Sequence, residues 1–448
     1  MSFHCAASRK SIIITKTVNK SNCKPTVGSG YMKPTRIALA VAAAGMISTP
    51  AFATNGDNLI GLGAQSRALG GTGTAAYYGS ENALSNPSLL AKAQGSEFAI
   101  GGTLFMPDVK AETNVASAPG TSASQTSDAD TNIIPEVSMS HRINNNWTFG
   151  MGMYGTAGMG VDYRDNGGAP DGTGLFNATT NLSLMKFVPA LAYNDDRYGF
   201  GFAPVIQYGA LDINYSAVGS PFAGTGVSDD IGFGANLGAH FDVNPGLTLA
   251  LAYQSAIDME YEDQLTNAAN GFQVGPGDPF ETITSDNLEQ PAEIKLGVAY
   301  DVNPNWMLTA DAKQIQWGSA KGYEDFNWDD QMVYGLGAKY SGNGFWAGFG
   351  YNHGEDPIEV LDNSSYSNQA INLFNNHFFP AITESHYTFG GGYSLSKTTT
   401  LEGAFVYAPE VDKTIDTGFV SGQADPEATQ HEVKHSQTGI TVSLRMNF

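Results

Sequence analysis

The sequence predicts an all-β membrane protein, a 14-stranded antiparallel outer-membrane β-barrel whose lumen is filled by an N-terminal hatch with short helices. Three observations lead to this fold class. They are an alternating strand at the very C-terminus, an export signal near the start of the chain, and a regular succession of short turns and long loops between the two.

The last residues of the chain form a strand with two chemically different faces. Apolar residues occupy every second position: Ile440, Val442, Leu444, Met446 and Phe448. Polar residues stand between them: Thr441, Ser443, Arg445 and Asn447. Because side chains alternate along a strand, the apolar set faces lipid and the polar set faces a lumen. An edge strand of a soluble β-sandwich shows the same alternation, so this strand alone leaves both architectures open.

The start of the chain has the pattern of a secretory signal. Basic residues Lys33 and Arg36 precede an apolar run over residues 37–47, and Ala51-Phe52-Ala53 is a small-x-small cleavage site. The apolar run is too short to span a bilayer. We therefore expect a leader over residues 1–53, with the signal peptide at about 32–53. Residues 1–31 precede a better start at Met32, and we interpret them as an upstream extension that is not translated.

Composition narrows the class further. Both cysteines, Cys5 and Cys23, lie in the predicted leader, so the mature fold relies on no disulfide or thiolate metal site. The leader also holds seven of the 22 Lys and Arg and no acid, which leaves 15 basic against 44 acidic residues and a net charge of about −29. Such an acidic surface excludes nucleic acid as a partner.

Turns and loops along the chain give an even number of strands. Six short turns of Asn, Asp, Gly, Pro and Ser occur at 144–146, 194–196, 244–246, 303–305, 341–344 and 396–397. Seven long polar connections lie between them, at about 113–131, 164–179, 217–228, 262–289, 319–326, 355–383 and 411–435. Alternation of the two joins fourteen strands over residues 95–448, with short periplasmic turns and longer outer loops.

The segment before the first strand does not alternate. Residues 54–94 are rich in glycine, and Asn86 with Pro87 predicts a turn into a short helix. Leucines such as Leu59 and Leu62 need an apolar place to pack. The barrel interior is the nearest one, so we predict that the segment is a plug, or hatch; the alternative is a periplasmic tail.

The mature chain resembles the outer-membrane long-chain fatty acid and hydrocarbon transporters of the FadL/TodX/OMPP1 type. The resemblance rests on Gly70, Gly71 and Gly73 with Asn86-Pro87 in the hatch, on residues 291–317, and on residues 379–390. The family usually reads Asn-Pro-Ala-Gly in the hatch, whereas this chain reads Asn86-Pro87-Ser88-Leu89. That departure makes the details of this turn less transferable.

The resemblance implies passive, ligand-gated uptake of hydrophobic small molecules. In this family the hatch closes the lumen, and a kink in the third strand lets the ligand leave sideways into the membrane. Here that strand contains Gly155, Gly158 and Gly160, which interrupt its alternation. Glycines inside a strand mark a bulge, a bend or a close approach, so they fit a kink and equally an ordinary barrel corner.

Residues of one strand indicate the nature of the cargo independently. In residues 182–193 both faces are apolar, and the inner face carries Leu182, Leu184 and Val188. Ligand pockets for hydrophobic molecules have such walls. Packing against the hatch explains the same residues, and the two interpretations are compatible.

A carboxylate ligand needs a cation in the lumen. Five cations fall on predicted inward faces: Lys186, Lys295, Lys313, Lys339 and Arg445. Each is a candidate partner for a fatty-acid head group. Inward acids such as Glu293 and Asp311 are the competing partners.

Other function classes find little support. Ser138 with His141, and Ser385 with His386, do not form a nucleophile and base, because neighbouring strand residues point to opposite faces. We predict no enzyme and no cofactor or metal. The leading prediction is transport of a hydrophobic ligand in the outer membrane of a Gram-negative cell, and the alternatives are a general diffusion porin and, third, an outer-membrane lipase. Expected partners besides the ligand are outer-membrane lipid, lipopolysaccharide and the barrel-assembly machinery, which binds the C-terminal strand.

Overall fold

A computed structural model describes residues 54–115, 122–164, 175–216, 223–271 and 283–448. The predicted leader, residues 1–53, lies outside this described part of the chain. All statements below concern the described residues.

Fourteen long strands form the barrel. In chain order they are β1 Ser96–Thr113, β2 Asn132–Arg142, β3 Trp147–Met159, β4 Thr179–Asp195, β5 Tyr198–Asn214, β6 Ser228–Asn244, β7 Leu247–Gln254, β8 Glu293–Asn303, β9 Trp306–Ile315, β10 Gln331–Gly342, β11 Phe345–Gly354, β12 Ser385–Ser394, β13 Thr399–Asp416 and β14 Gln430–Asn447. Each pairs antiparallel with the next. The short strand Ala123–Thr126 adds to β1 outside this count.

The barrel closes between the last strand and the first. β14 pairs with β1 from His431 opposite Thr113 to Asn447 opposite Glu97. Phe448 continues the contact, because its backbone N–H donates to the carbonyl of Ser96 at 2.9 Å. The fourteen-stranded closed barrel that the sequence predicts is confirmed.

The strands form because their faces alternate as a lipid-exposed wall requires. In β5, Phe200 and Phe202 on one face are exposed, whereas Ala203 and Val205 on the opposite face are buried. Aromatic side chains gather at the short-turn end, where Trp147 packs on Tyr193 at 5.0 Å between ring centroids. Rings at this level are typical of the girdle at a membrane interface.

The last hairpin extends beyond the predicted strands. β13 and β14 remain paired as far as Asp416 and Gln430, so their loop is shorter than the predicted 411–435. A register shift between Ala408 and Val411 places Pro409 in a bulge. The extra residue changes the phase of the period-two pattern, and this hid the outer part of both strands in the sequence.

The long connections carry small helices. They are α3 Leu265–Gly271, α4 Tyr366–Phe378 and two 3₁₀ turns, Trp317–Ser319 and Glu324–Phe326. Ser365 caps α4 by accepting from the backbone N–H of Asn368 at 3.2 Å. In the described residues, none of the helices combines the length and the apolar character that crossing a membrane requires.

The hatch lies inside the barrel. It begins with two two-residue strands, Thr54–Asn55 and Asn58–Leu59, which pair with each other. Short helices follow: Gly63–Ala68, Asn82–Ser85 and a 3₁₀ helix Pro87–Lys92. Asn86 caps the 3₁₀ helix by accepting from the Ser88 backbone N–H at 3.1 Å. Leu69, Leu89 and Leu90 are fully enclosed and Leu59 is buried, whereas Leu62 is half-buried.

Glycine allows the hatch backbone to touch the barrel backbone. Gly70 has φ +69°, and a Cβ there would overlap the carbonyl oxygens of Tyr351 and Leu336 on neighbouring strands. Its amide N–H donates to the Thr388 hydroxyl at 3.0 Å. Only glycine satisfies both the left-handed conformation and this close approach.

Gly70→Ala is expected to unseat the hatch from β10 and β11. The left-handed conformation alone costs roughly 1–2 kcal/mol for alanine, and the overlap with two carbonyls adds to it. Gly422→Ala is the matched control, since Gly422 has φ +72° in a loop and its Cβ would meet nothing within 4 Å. Thermal unfolding and protease cleavage of the hatch measure the effect. Equal losses in the two variants would contradict the proposed contact.

Candidate functional site

An arginine on the closing strand fixes the hatch to the wall. The Arg445 guanidinium lies 2.9 Å from Glu81 of the hatch, 2.5 Å from Glu97 on β1 and 3.0 Å from Glu402 on β13. All four side chains are buried. Each guanidinium nitrogen donates to a carboxylate, so in this conformation Arg445 serves the hatch rather than a ligand head group.

A second ion pair of opposite polarity reinforces the first. Arg67 of the hatch lies 2.6 Å from Glu136 on β2 and donates to the Thr103 hydroxyl on β1. The hatch thus contributes the acid to one ion pair and the base to the other, and the barrel wall contributes the partner of each. Burial strengthens both attractions, because the surrounding dielectric constant is low.

Lys339 is also engaged by the hatch. Its Nζ donates to the Gln65 side-chain oxygen at 2.5 Å, and it lies 5.3 Å from the centre of the Trp346 ring. Gln65 in turn donates to Glu402 at 2.7 Å. Of the five predicted inward cations, Lys339 and Arg445 thus belong to the seat of the hatch.

The other three predicted cations meet in one cavity between the hatch and the barrel wall. Lys186, Lys295 and Lys313 line it together with the predicted hatch residues Leu59, Leu62, Gly70, Gly71 and Gly73. Lys295 pairs with Glu293 at 2.7 Å. Neither Lys186 nor Lys313 has a carboxylate oxygen within 4 Å among the described residues. Two cations, the buried Lys186 and the half-buried Lys313, therefore face the cavity without an ion-pair partner among the described residues.

The cavity is too small for a hydrophobic ligand. Its volume is about 90 Å³, which holds a few waters, whereas small-molecule pockets measure roughly 300–1,000 Å³. The lumen is therefore closed in this conformation.

The predicted apolar wall faces the lumen. Leu182, Leu184 and Val188 on β4 are 1%, 3% and 0% exposed. They belong to one apolar cluster that continues from the hatch, through Leu84 and Leu90, to the long loops. Both interpretations given for these residues, cargo path and hatch packing, are compatible with this position.

The strand β3 is broken where the sequence places its glycines. Its ladder with β4 shifts register between Gly155 and Ala157, and its ladder with β2 ends at Tyr154 opposite Glu136. Beyond that point β3 runs on without β2. A Cβ on Gly155 would overlap Ile134 of β2, and one on Gly160 would overlap the Thr180 carbonyl, so these two glycines permit the bend.

The hatch covers the break in β3. Asn58 forms a bridge with Ala157, and the Gly158 N–H donates to the Asp57 carbonyl at 3.1 Å. The Asp57 carboxylate accepts from the Tyr323 hydroxyl at 2.5 Å and from Gln290 at 2.9 Å, both on outer loops. One hatch segment thus joins the broken strand to the loops above it.

Aromatic rings close the outer end of the lumen. Trp317, Tyr323 and Trp328 pack on one another with centroids 4.7–5.0 Å apart. On α4, Phe374 stacks on Phe326 at 4.6 Å, and Phe378 packs on Tyr215 at 5.1 Å. We call this group the aromatic cap.

A chain of neutral histidines holds α4 in the aromatic cap. Asn376 donates to His431 at 3.2 Å, His431 lies 2.9 Å from His377, and His377 donates to the Leu175 carbonyl at 3.0 Å. Burial lowers the pKa of His377 to about 4. The neutral form is therefore the one present at neutral pH.

The hatch turn departs from the family pattern with a visible consequence. The Asn86 side chain donates to the Thr74 carbonyl at 2.7 Å and accepts from the Ser88 hydroxyl at 2.8 Å. Ser88 also lies 3.1 Å from His240 on β6, a contact that alanine lacks. Pro87 lies against Gly201 of β5.

The residues of the hatch itself that hold it in the barrel were not identified from the sequence. Arg67, Glu81 and Asp57 were not selected, although Arg67 is the only basic residue between Thr54 and Lys92. An isolated charge in a segment predicted to be buried requires a partner. The sequence therefore indicated that Arg67 needs a partner, but it did not identify Glu136 as that partner.

Comparisons with known proteins place the chain among outer-membrane transport proteins. A family model described as Outer membrane protein transport protein (OMPP1/FadL/TodX) matches residues 40–448. The chain is 26% identical over 357 residues to the long-chain fatty acid transport protein of Escherichia coli O6:H1, over 68% of this chain and 78% of that protein.

Two further comparisons are more limited. An uncharacterized protein of Chlorobium limicola, from the phosphoenolpyruvate carboxykinase gene 5′ region, is 45% identical over 69 residues, and the chain spans about a third (34%) of its length and 15% of its own. The crystal structure of the P. putida toluene transporter TodX superimposes with a TM-score of 0.61 at 18% identity, over 87% of this chain and 99% of TodX. At this identity the likeness shows the fold alone.

Arg445→Met is expected to lower the free energy of unfolding by roughly 3–5 kcal/mol, because it leaves buried carboxylates without their counter-charge. The double variant Arg445→Met with Glu81→Gln should recover part of the loss, since one stranded charge is removed. Thermal unfolding of the purified barrel in detergent measures both. Lys434→Met, on the exposed side of the same strand, is the control, and a loss there equal to that of Arg445→Met would contradict a hatch-specific role.

Proposed function

Because the chain belongs to the OMPP1/FadL/TodX family of outer-membrane transport proteins, we propose that it takes up hydrophobic small molecules, long-chain fatty acids or hydrocarbons, by hatch rearrangement and lateral release. Its family transports rather than catalyses, and the protein is a β-barrel of the outer membrane. The proposal concerns the ligand, the gate and the exit.

The observation that carries the proposal is the broken strand β3 with the hatch across it. A barrel in lipid leaves no backbone edge unpaired without reason. Here β3 loses β2 beyond Tyr154, and two hatch residues, Asp57 and Asn58, bond to it instead. Withdrawal of this hatch segment would uncover a gap in the wall that leads to the membrane.

The aromatic cap supports capture at the outer end. Rings of Trp317, Tyr323, Trp328 and Phe374 offer a large apolar surface above the hatch. Because Tyr323 also donates to Asp57, a ligand that displaces this tyrosine would loosen the segment covering β3. Binding at the cap would thereby be coupled to opening of the wall.

The process needs no cofactor or nucleotide. Each CH₂ group that leaves water for an apolar environment gains about 0.8 kcal/mol. Transfer of a long acyl chain from the outer water, by way of the cap, to the bilayer therefore lowers its free energy. The energy of transfer is enough to drive uptake passively.

The structure opposes the porin alternative. A general diffusion porin requires a polar lumen that is open to water, whereas the hatch leaves a cavity of about 90 Å³. The serine–histidine pair that a lipase would take from the sequence is not formed, because the Ser138 hydroxyl bonds Ser80 at 2.7 Å and His141 bonds Ser96 at 2.8 Å. Planar-bilayer conductance separates transporter from porin: a large steady current would favour the porin.

The remaining partners are proposed on the exposed surface. Lipid-facing residues such as Ile440 and Val442 would contact outer-membrane lipid, and the outer loops lipopolysaccharide. The terminal strand, with Phe448 80% exposed, suits recognition by the barrel-assembly machinery. Crosslinking from Phe448 to that machinery during assembly tests the last point.

The two unpaired lysines distinguish a fatty acid from a neutral hydrocarbon. We expect Lys186→Met with Lys313→Met to weaken binding of palmitate about tenfold, the value of one charge-assisted contact. Binding of a neutral alcohol of the same chain length should be unchanged. Binding of radiolabelled ligand to purified protein measures both affinities.

The control for the lysine variants is Lys321→Met, whose side chain pairs with Asp258 on an outer loop. An equal loss for palmitate and for the alcohol would mean that the lysines only maintain the fold. No loss for either would remove the head-group assignment and favour a neutral cargo.

A disulfide between Asn58→Cys and Ala157→Cys tests the gate. These positions are bridge partners, and facing strand residues lie within disulfide range. We expect the oxidised protein to bind ligand but to take it up into cells more slowly, and dithiothreitol to restore the full rate. Thr54→Cys with Leu59→Cys, partners inside the hatch, is the control that leaves the hatch free of the wall. Undiminished uptake with Asn58 and Ala157 crosslinked would exclude release at β3.

A further inference from the structure

The ladder between β4 and β5 has a gap. It runs from Thr179 opposite Asn214 to Phe187 opposite Ile206, and it resumes at Leu191 opposite Phe202. Residues 188–190 and 203–205 have no partner across this seam. Both segments stay paired on their other sides, with β3 and β6, so the interruption belongs to this seam alone.

Two facing prolines explain the gap. The register is the same above and below it, which places Pro189 opposite Pro204. Neither proline has an N–H to donate. At a hydrogen-bonded pair position of an antiparallel ladder, the two facing residues normally exchange two N–H···O bonds, and two prolines lose both of them. The pair on either side shares these bonds, so it loses its bridge as well. The observed width of three residues per strand agrees with this account.

Such a gap is unusual in a membrane wall. Prolines in sheets are confined to edges, strand starts and bulges, whereas β4 and β5 are central strands of a closed barrel. Unpaired carbonyls in hydrocarbon are also costly. Two prolines at one level of adjacent strands make a seam that parts more easily than the ladders around it.

The hatch lies directly behind the seam. The 3₁₀ helix Pro87–Lys92 packs on β4, β5 and β6. A Cβ on Gly201 would overlap the backbone of Pro87, and one on Gly238 would overlap Asn86. The inward side chains at the gap, such as Val188 and Ala203, are small, apolar and fully buried. Movement of the 3₁₀ helix would therefore expose an apolar seam to the lumen.

An apolar concavity lies on the lipid side of the same seam. Its volume is about 630 Å³, and Leu191 and Phe202, the first pair below the gap, form part of its wall. Trp147, Tyr193 and Phe200 line it toward the short-turn end, and it extends along the wall to Leu237 of β6 and to Leu251 and Tyr253 of β7. This volume lies within the usual range for small-molecule sites, roughly 300–1,000 Å³. Apolar residues thus continue from the lumen, across the gap, to the periplasmic half of the membrane.

We propose that the β4–β5 seam is a second lateral exit, through which a slender apolar ligand passes from behind the 3₁₀ helix into this concavity. The ligand class is a single acyl chain or a small hydrocarbon. The inference rests on the proposed transport function. It differs from release at β3, because the break in β3 lies toward the outer loops and the seam toward the short turns.

Restoring the missing donors should close the seam. The double variant Pro189→Ala with Pro204→Ala supplies both N–H groups, and two ordinary hydrogen bonds shift an opening equilibrium on the order of tenfold. In protein whose β3 exit is closed by the Asn58→Cys with Ala157→Cys crosslink, we expect uptake of radiolabelled palmitate to slow by about that factor, with palmitate binding to the purified protein unchanged. Pro409→Ala, at the β13 bulge, is the matched control.

A reversible crosslink tests the seam without relying on the prolines. Ala190→Cys with Ala203→Cys joins the two strands across the gap, and Met185→Cys with Tyr208→Cys joins them in the intact ladder. The first pair should lower uptake until dithiothreitol is added, and the second should not. Normal uptake in both the crosslinked gap variant and the alanine double variant would overturn the proposal.

Trapping the ligand separates failure of the exit from failure of the function. A photoreactive residue replaces Phe202 in the concavity, Leu62 in the lumen, or lipid-facing Phe389 on β12. We expect palmitate to be trapped at 62 and 202 far above the level at 389. If palmitate is trapped at position 62, but no more at position 202 than at position 389, the proposed exit is overturned and the proposed function is not. No trapping at 62 and no uptake overturns the proposed function, and the exit with it.

Discussion

Every part of this structure depends on one constraint, that backbone N–H and C=O groups in hydrocarbon must bond to each other. The pairing of β14 with β1 satisfies it by closing the sheet. Closure produces a lumen, and the hatch fills that lumen. Where the ladder is incomplete, at β3 and between β4 and β5, the constraint is locally broken, and those are the two exits that we propose.

The hatch is fixed by polar contacts and positioned by apolar ones. Two buried ion pairs join hatch and wall, and the arginine is Arg445 of the wall in one pair and Arg67 of the hatch in the other. Such pairs contribute less to stability than to selecting one arrangement, because their desolvation offsets much of the attraction. A hatch held in this way has a defined closed position.

The gate and the capture surface share residues. Asp57 bonds to Tyr323, which is itself one of the three rings at the centre of the aromatic cap. The same hatch segment bonds to β3 through Asn58. A ligand at the cap and the break in the wall therefore act on one short piece of chain, which gives the coupling a physical route of few contacts.

The sequence by itself determined the barrel, its fourteen strands, the inward faces and the presence of a hatch, because these follow from period-two alternation and from the turns. It also placed Lys186, Lys295 and Lys313 on inward faces. Only the tertiary structure decided which cations meet in one cavity and which bind the hatch, as Arg445 does, since that depends on where residues far apart in the chain come together. The facing of Pro189 and Pro204 was likewise invisible, because register between strands is fixed by the whole sheet and not by either strand alone.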